Sequence, residues 1–450
     1  MQPQIGQIRL DPPNAMDRAT PRWIAVGLAA GVALVAAAGF TSRAAAPGVQ
    51  PPASTRGTTA RIEKWLSDPG LKAALAGAAA AEAAVIEDQI AFTEIPAPPF
   101  KEQERAARLK RAFEELGLRR VRLDAAGNVI GERPGLAARP NLVVAAHLDT
   151  VFPEGTDVRV SRAGDVLRAP GIADDGRGLA VLVGVARALD RGKVQTPGTI
   201  TFVANVGEEG LGDLRGSKHL FGEELRGRVD AFVAIDGTGH GITNVAVGSH
   251  RYRVTFQGPG GHSFGAFGTV NPVHALGRAI ARVADFHVPA SPRVTFNVGR
   301  IGGGTSVNAI ASEAWLEIDL RSSDPDALGS VDASFKEAVA AAARDENARW
   351  ERGRIAVRTE MVGDRPPGRT PEASAIVQTA AAVNRALGLP VALGEGSTDA
   401  NIPMSLGIPA IAIGGGGQSS GAHSPAETFD ATDSWKGTAR VTALVFALAR

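Results

Sequence analysis

His147 and Asp149 stand two positions apart at the end of an apolar run, NLVVAAHLDTV over residues 141–151. In a strand, residues i and i+2 face the same side, so an imidazole and a carboxylate address one place together. That arrangement serves a metal-binding histidine steered by a neighbouring acid; it equally serves a pair that caps a strand end. Asp174 and Asp175 fall in GIADDGRG, immediately before an apolar stretch with helical spacing. An aspartate there either caps the helix N-terminus or presents its carboxylate from a constrained turn. Glu208 and Glu209 are adjacent in NVGEEG, again after an apolar run. Neighbouring side chains diverge, so the pair reads as a solvated acidic turn, or as one metal ligand beside one general base. Asp236 in AIDGTG and His423 in SGAHSPAE complete the set. Two histidines and several carboxylates in turns after strands are the donors that a pair of divalent cations takes.

Composition narrows the chemistry. The 450-residue chain has no cysteine, which excludes a thiol nucleophile, iron–sulfur clusters, thiolate-held zinc and disulfides. Any transition metal must be held by His, Asp and Glu. With a formal net charge of +1 and no dense basic run interleaved with aromatics, a nucleic-acid partner is not expected. The length predicts two domains. At the N-terminus, Arg18 and Arg22 precede an uncharged run from Trp23 to Phe40, and small residues follow near Ala44–Ala46. Residues 1–46 therefore read as an export signal for a periplasmic or secreted protein. A membrane anchor is the alternative, since the run is close to the lower limit for spanning a bilayer. Residues 47–60, PGVQPPASTRGTTA, read as a linker.

The elements that must position these residues alternate between helix and strand from about residue 60, which predicts an α/β fold. KEQERAARLKRAFEELGL carries Leu109, Phe113 and Leu116 on one helical stripe. NLVVAAHL, TITFVANV and DAFVAI are short continuous apolar runs, as expected of strands covered on both faces. Each ends in acids or a histidine, and ligands of open α/β sheets bind beyond the carboxyl ends of strands. From 248 to 362 the pattern changes to β-α-β-β-α-β, the order of a split-βαβ, ferredoxin-like unit. Asn271 and Pro272 mark the start of its first helix; a long helix runs from about Asp326 to Trp350. The expected architecture is a mixed-sheet catalytic domain, residues 61–247 and 363–450, with helices on both faces and an inserted lid or dimerisation domain between.

The ordered set HLDT, GIADDGRG, GEEG, AIDG and AHSPAE, with GGHS and NAIASEAWLEIDLR in the insert, resembles the aminoacylase, peptidase T and glutamate carboxypeptidase family of di-zinc exopeptidases. The resemblance runs from residue 60 to the end. It implies that Asp174 bridges two metals, that His147 and Asp236 complete one site, and that Glu209 and His423 complete the other. It implies Glu208 as general base, Asp149 as the residue orienting His147, and a cis peptide between Asp174 and Asp175. His262, Asn308 and Arg321 match substrate-contacting positions, the histidine reaching a partner's active site in several members. A planar guanidinium suits a substrate carboxylate. The implied cofactors are two divalent ions, zinc in the first place, with manganese or cobalt also accepted by carboxylate-rich sites; the implied assembly is a homodimer. The chain departs from the family in having Arg177 where lysine is frequent, and Ala311 where proline is frequent.

These residues predict a hydrolase of peptide or N-acyl amide bonds acting on short peptides or N-acyl amino acids. GSTDAN, with Asp399, leans toward a peptidase T-like aminopeptidase; a carboxypeptidase or N-acyl amino acid deacylase is the alternative. Two other classes compete. GGHSFG contains a G-x-S-x-G string around Ser263, which would need a strand–elbow–helix context to act as a nucleophile. A catalytically silent binding protein on the same scaffold would lack a ligand or the base, and none is missing.

Overall fold

In the computed structural model, which describes residues 53–450 with side chains from residue 60, the run Asn141–His147 forms a strand of a nine-stranded mixed sheet. It lies parallel to Thr199–Asn205 on one side and to Ala231–Ile235 on the other. Ala410–Ile413 pairs in parallel with Ala231–Ile235. Four strands thus send their carboxyl ends to one edge. The continuous apolar character of Asn141–His147 has a direct cause. Leu142, Val144 and Ala146 enter one core, while Val143 and Ala145 enter another on the opposite face.

The first core is covered by helices Ala78–Thr93, Gln103–Glu115, Gly176–Arg191, Ala375–Ala386 and Trp435–Leu448, which contribute Phe92, Phe113, Leu182, Val383 and Leu444. The second receives Leu220, Phe221 and Met404 from shorter helical segments. The stripe on Gln103–Glu115 follows the expected spacing, with Leu109 and Phe113 fully buried. One expectation is corrected. Helix Ala53–Leu66 takes up residues 53–60 of the presumed linker, and Ile62, fully buried, anchors it in the first core. The export or anchor segment lies outside the described residues. Among the described residues no single helix is long and apolar enough to cross a membrane.

The insert forms a four-stranded antiparallel sheet ordered Val294–Gly303, Glu313–Ser322, Gly248–Gln257, Ala356–Arg365. Helices Pro272–Ala284 and Pro325–Arg349 cover one face. Asn271 caps the first, accepting from the Val273 N–H at 2.9 Å. Burial alternates residue by residue along Glu313–Ser322: Leu316, Ile318 and Leu320 face the helices, and Trp315, Glu317, Asp319 and Arg321 the open side. The last strand runs past the expected boundary at 362, because its ladder with Gly248–Gln257 continues to Arg365 opposite Ser249. It stops where Pro366 removes the next N–H donor. Asn401 joins both chain crossings, its Nδ2 donating to the Val247 carbonyl at 2.9 Å and the Pro366 carbonyl at 3.0 Å.

Candidate metal centre

At the carboxyl edge of the main sheet, Asp174 sits between two imidazoles. Its Oδ1 is 3.0 Å from His147 Nε2 and its Oδ2 is 3.0 Å from His423 Nε2. His423 Nε2 is also 3.0 Å from Glu209 Oε1. Two ligand sets result, His147–Asp174–Asp236 and Asp174–Glu209–His423, each with its donor atoms within 4.8 Å of one another, and they share Asp174. Glu208 joins the same cluster beside His147 and Glu209.

The charges of this cluster are out of balance. Burial, reinforced by the neighbouring charge of Asp174, holds the Asp236 carboxyl well above its ordinary range. Burial also pushes Glu209 up to about 7, although the bond from His423 opposes it. His147 moves the other way: burial would lower it, but hydrogen bonds to Asp149 and Asp174 prevail and hold it well above its usual value. Bonds to Asp174 and Glu209 push His423 up to about 11. Acids crowded out of water beside imidazoles are a set that two cations would neutralise, and nitrogen plus carboxylate oxygen is the donor chemistry zinc accepts. The residues fit the group.

Local structure explains how each ligand is held. Both readings of the adjacent aspartates hold, one for each residue. Asp175 caps helix Gly176–Arg191, accepting from the Gly178 N–H at 3.0 Å, and also accepts from the His147 N–H at 3.1 Å. It thereby fixes the histidine strand to the helix, while Asp174 presents its carboxylate to the cluster. The peptide bond between them is cis. Glu427, fully buried, grips the loop before them: Oε1 accepts from the N–H groups of Ala173 (2.8 Å) and Asp174 (3.0 Å), Oε2 from that of Gly171 (3.0 Å). Gly207, at φ +70°, turns the chain into the two glutamates, and a Cβ there would lie 2.6 Å from the Arg215 side chain.

The Asp149 carboxylate faces His147 as expected and has a second part as well. His147 Nδ1 is 3.0 Å from the Asp149 main-chain oxygen, whereas the carboxylate is 3.7 Å away. The carboxylate also accepts from the backbone N–H groups of Glu208 (3.0 Å) and Glu209 (2.8 Å). Asp149 thus seats the glutamate turn beside the histidine strand, and both its main-chain oxygen and its carboxylate face the imidazole.

The three substrate positions divide. His262 pairs opposite Ala309 in a short two-stranded ladder, and Asn308 accepts through its main-chain oxygen from the Ser263 N–H at 2.9 Å; both are exposed. Arg321 lies at the other end of the insert, its Nε held 2.6 Å from Asp319 Oδ2. From Glu313 to Arg321 the strand covers roughly 27 Å, so His262 and Arg321 do not meet within this chain. Arg177 is fully buried and bonded to Glu82 and to the carbonyls of Gly415 and Ser434, which makes it a structural residue. Asp399 is buried and turned inward, accepting from Asn205 and from the Ser217 hydroxyl (2.7 Å). Ser263 occupies a turn after the two-residue strand Gly261–His262, without the helix that a nucleophile elbow needs. Of the other histidines, His250 faces Asp332 at 3.2 Å on the insert; among the described residues none of His219, His240, His250, His274 and His287 enters the ligand sets.

The sequence passed over Glu427 and Arg365. Glu427 stood inside AHSPAE, three residues past a candidate ligand's neighbour, with nothing to mark its distant partners. Arg365 gave no signal at all.

Comparison with known proteins places this arrangement. Over residues 143–447 the chain matches the model of peptidase family M20/M25/M40. It is 26% identical over 347 residues to the YqjE protein of Bacillus subtilis (strain 168), covering 73% of this chain and 89% of that one. It is 29% identical over 227 residues to carboxypeptidase G2 of Pseudomonas sp. (strain RS-16), covering 47% of this chain and 53% of that one. Its fold superposes on the crystal structure of the aminopeptidase PepT from Bacillus cereus ATCC 10987 with a TM-score of 0.65, at 22% identity, over 81% of this chain and 98% of that one. A family match that takes in the strand ends carrying His147, Glu208 and Asp236, the DD turn and the His423 loop leads to one conclusion: the chain is a hydrolase belonging to peptidase family M20/M25/M40.

Proposed function

We propose that the protein hydrolyses peptide or amide bonds of short peptides or N-acyl amino acids, with Glu208 as general base and two divalent cations held by His147, Asp174, Asp236, Glu209 and His423. The sharing of Asp174 between two ligand sets, with Glu208 alongside, carries this reading. The cations, when bound, would supply Lewis acidity that polarises a carbonyl and makes water easier to deprotonate; zinc is our first assignment, manganese or cobalt the alternatives. Glu208 takes a proton from water at one carboxylate oxygen and returns it to the departing amine nitrogen. Asp149, accepting from the backbone N–H groups of both glutamates, keeps the base in register with its neighbour Glu209.

On the substrate side, Arg321 offers its terminal nitrogens, since Asp319 engages only Nε. A free carboxylate on the substrate is the group that such a fork binds. Asp399, the residue that favoured an aminopeptidase, has its carboxylate committed inside the fold. We therefore place recognition of a carboxylate ahead of recognition of a free amino end, a carboxypeptidase or N-acyl amino acid deacylase ahead of an aminopeptidase. We further propose export through the N-terminal segment, and a homodimer in which His262 serves the site of the second copy.

The test pairs two variants on a panel of amino-blocked and unblocked dipeptides and tripeptides. Glu208→Gln retains bound metal and loses 100-fold or more in kcat; His147→Ala loses metal. Turnover near wild type in Glu208→Gln overturns the base assignment. Cleavage that vanishes when the amino end is blocked restores the aminopeptidase reading.

A further inference from the structure

Arg365 is the last residue of the insert's final strand and is 3% exposed. It reaches across to the main domain and takes hold of Glu208 twice. Nη1 donates to Glu208 Oε1 at 3.0 Å, and Nη2 donates to the Glu208 main-chain carbonyl. Nη1 also donates to the Ser397 hydroxyl at 3.1 Å, which fixes the guanidinium from the far side. Glu208 has like charges for neighbours, Glu209 in the ligand cluster and the inward-turned Asp399. Among the described residues Arg365 makes the ion pair that Glu208 has. Left to electrostatic repulsion, the carboxylate would turn away from both acids; a grip on side chain and carbonyl together removes that freedom through Oε1 and leaves the second carboxylate oxygen without a hydrogen bond from Arg365. The strand that carries Arg365 pairs with Gly248–Gln257, whose Arg251 donates to the carbonyl of Gly210. Arginines on two adjacent strands of the insert therefore hold both ends of the Glu208–Gly210 turn.

We propose that Arg365 is a positioning residue for Glu208: it fixes the orientation of the base and ties the turn carrying it to the insert. This rests on Glu208 being the base. It is 3% exposed and stands outside the ligand sets, so its loss acts through the geometry of Glu208.

The test compares Arg365→Ala, Arg365→Lys and Glu208→Gln in the full chain reconstituted with zinc, using the peptide that the wild type cleaves fastest. Misplacement of a reacting group by about 1 Å costs on the order of 100-fold. Arg365→Ala is expected to lose kcat by roughly that factor with KM within about threefold of wild type and metal content unchanged. Guanidinium ion added in millimolar amounts restores part of kcat by refilling the same place. A crystal structure of metal-free Arg365→Ala, a readout independent of turnover, shows Glu208 displaced from its present rotamer. Should Arg365→Ala fail to fold, Arg365→Lys carries the test. The ammonium keeps the charge but cannot hold both oxygens in one plane, so kcat falls about tenfold at constant KM. An unchanged kcat, a rise in KM alone, or Glu208 unmoved in the crystal overturns the proposal. If Glu208→Gln itself turns over normally, the reading of the base has failed; if Glu208→Gln is inactive and the Arg365 variants are normal, only this inference has.

Discussion

Replacing Glu427 tests whether the metal centre is built from behind. Its carboxylate satisfies three backbone N–H groups of the loop that presents Asp174, at 2.8–3.0 Å, and the residue is fully buried. In Glu427→Ala these three donors lose their acceptor. A buried donor left unpaired costs about 1–3 kcal/mol, so the variant, with three such donors, should lose about 3–9 kcal/mol of stability. Glu427→Gln is the sharper probe. Its single carbonyl oxygen can serve Ala173 and Asp174, but the amide NH₂ then points at the Gly171 N–H, donor against donor. That costs about 1–3 kcal/mol. An opposing effect reduces it: burial raises the Glu427 pKa, so the charge is itself costly there and the neutral amide escapes that cost. The net expectation is about 1–2 kcal/mol for Gln, well below the Ala variant. Because Glu427 orients a ligand rather than supplying one, zinc affinity should fall about 10- to 100-fold in either variant. Urea denaturation of the metal-free chain measures the first quantity and competition with a chromophoric chelator the second. An alanine variant within about 1 kcal/mol of wild type that binds zinc normally would refute the argument that Glu427 holds this loop.

Other perturbations reach different parts of the account. Metal-free protein should lose stability from pH 5 to pH 9. Glu209 is raised from 4.5 to about 7 and His423 from 6.5 to about 11, so over this range the folded state keeps protons that the unfolded chain releases. Added zinc should reverse the trend, because metal binding strengthens as those protons leave; thermal melts with and without chelator check this, and a metal-free midpoint that rises with pH contradicts it. Mixing inactive Glu208→Gln with inactive His262→Ala should restore about a quarter of wild-type activity if His262 serves the second copy, since half the dimers then carry one intact site; no recovery removes the shared site. Ser263→Ala should leave activity intact while a strong chelator abolishes it; the opposite pattern would make the enzyme a serine hydrolase.

Much of the site was legible because strands have period two and because parallel strands all present their carboxyl ends to one edge. That rule brings His147, the Glu208–Glu209 pair and Asp236 to one edge, while the choice of Glu209 over Glu208 as ligand and the selection of Arg321 came from the family resemblance. The adjacent aspartates were ambiguous for a physical reason: a helix cap and a presented carboxylate require the same residue at the same place. Three-dimensional partners decide between them, and Asp175 takes the cap through Gly178. For Asp149 the spacing showed that it faces His147, but not that its main-chain oxygen lies nearer the ring than its carboxylate or that the carboxylate also holds the Glu208–Glu209 turn. Glu427 and Arg365 act on Ala173 and Glu208, groups 254 and 157 positions away, and no local periodicity records such pairings. The start of the helix at Ala53 was obscured by proline and threonine around it, whereas buried Ile62 shows what holds it.

The most direct measurement is a titration of the metal-stripped chain with zinc, followed by elemental analysis of the recovered protein. Two ions per chain are expected, with loss of binding in His147→Ala and in His423→Ala and none in Glu208→Gln. A chain that retains no ion, or whose uptake is indifferent to both histidines, would contradict the reading of Asp174 as a ligand shared by two cations.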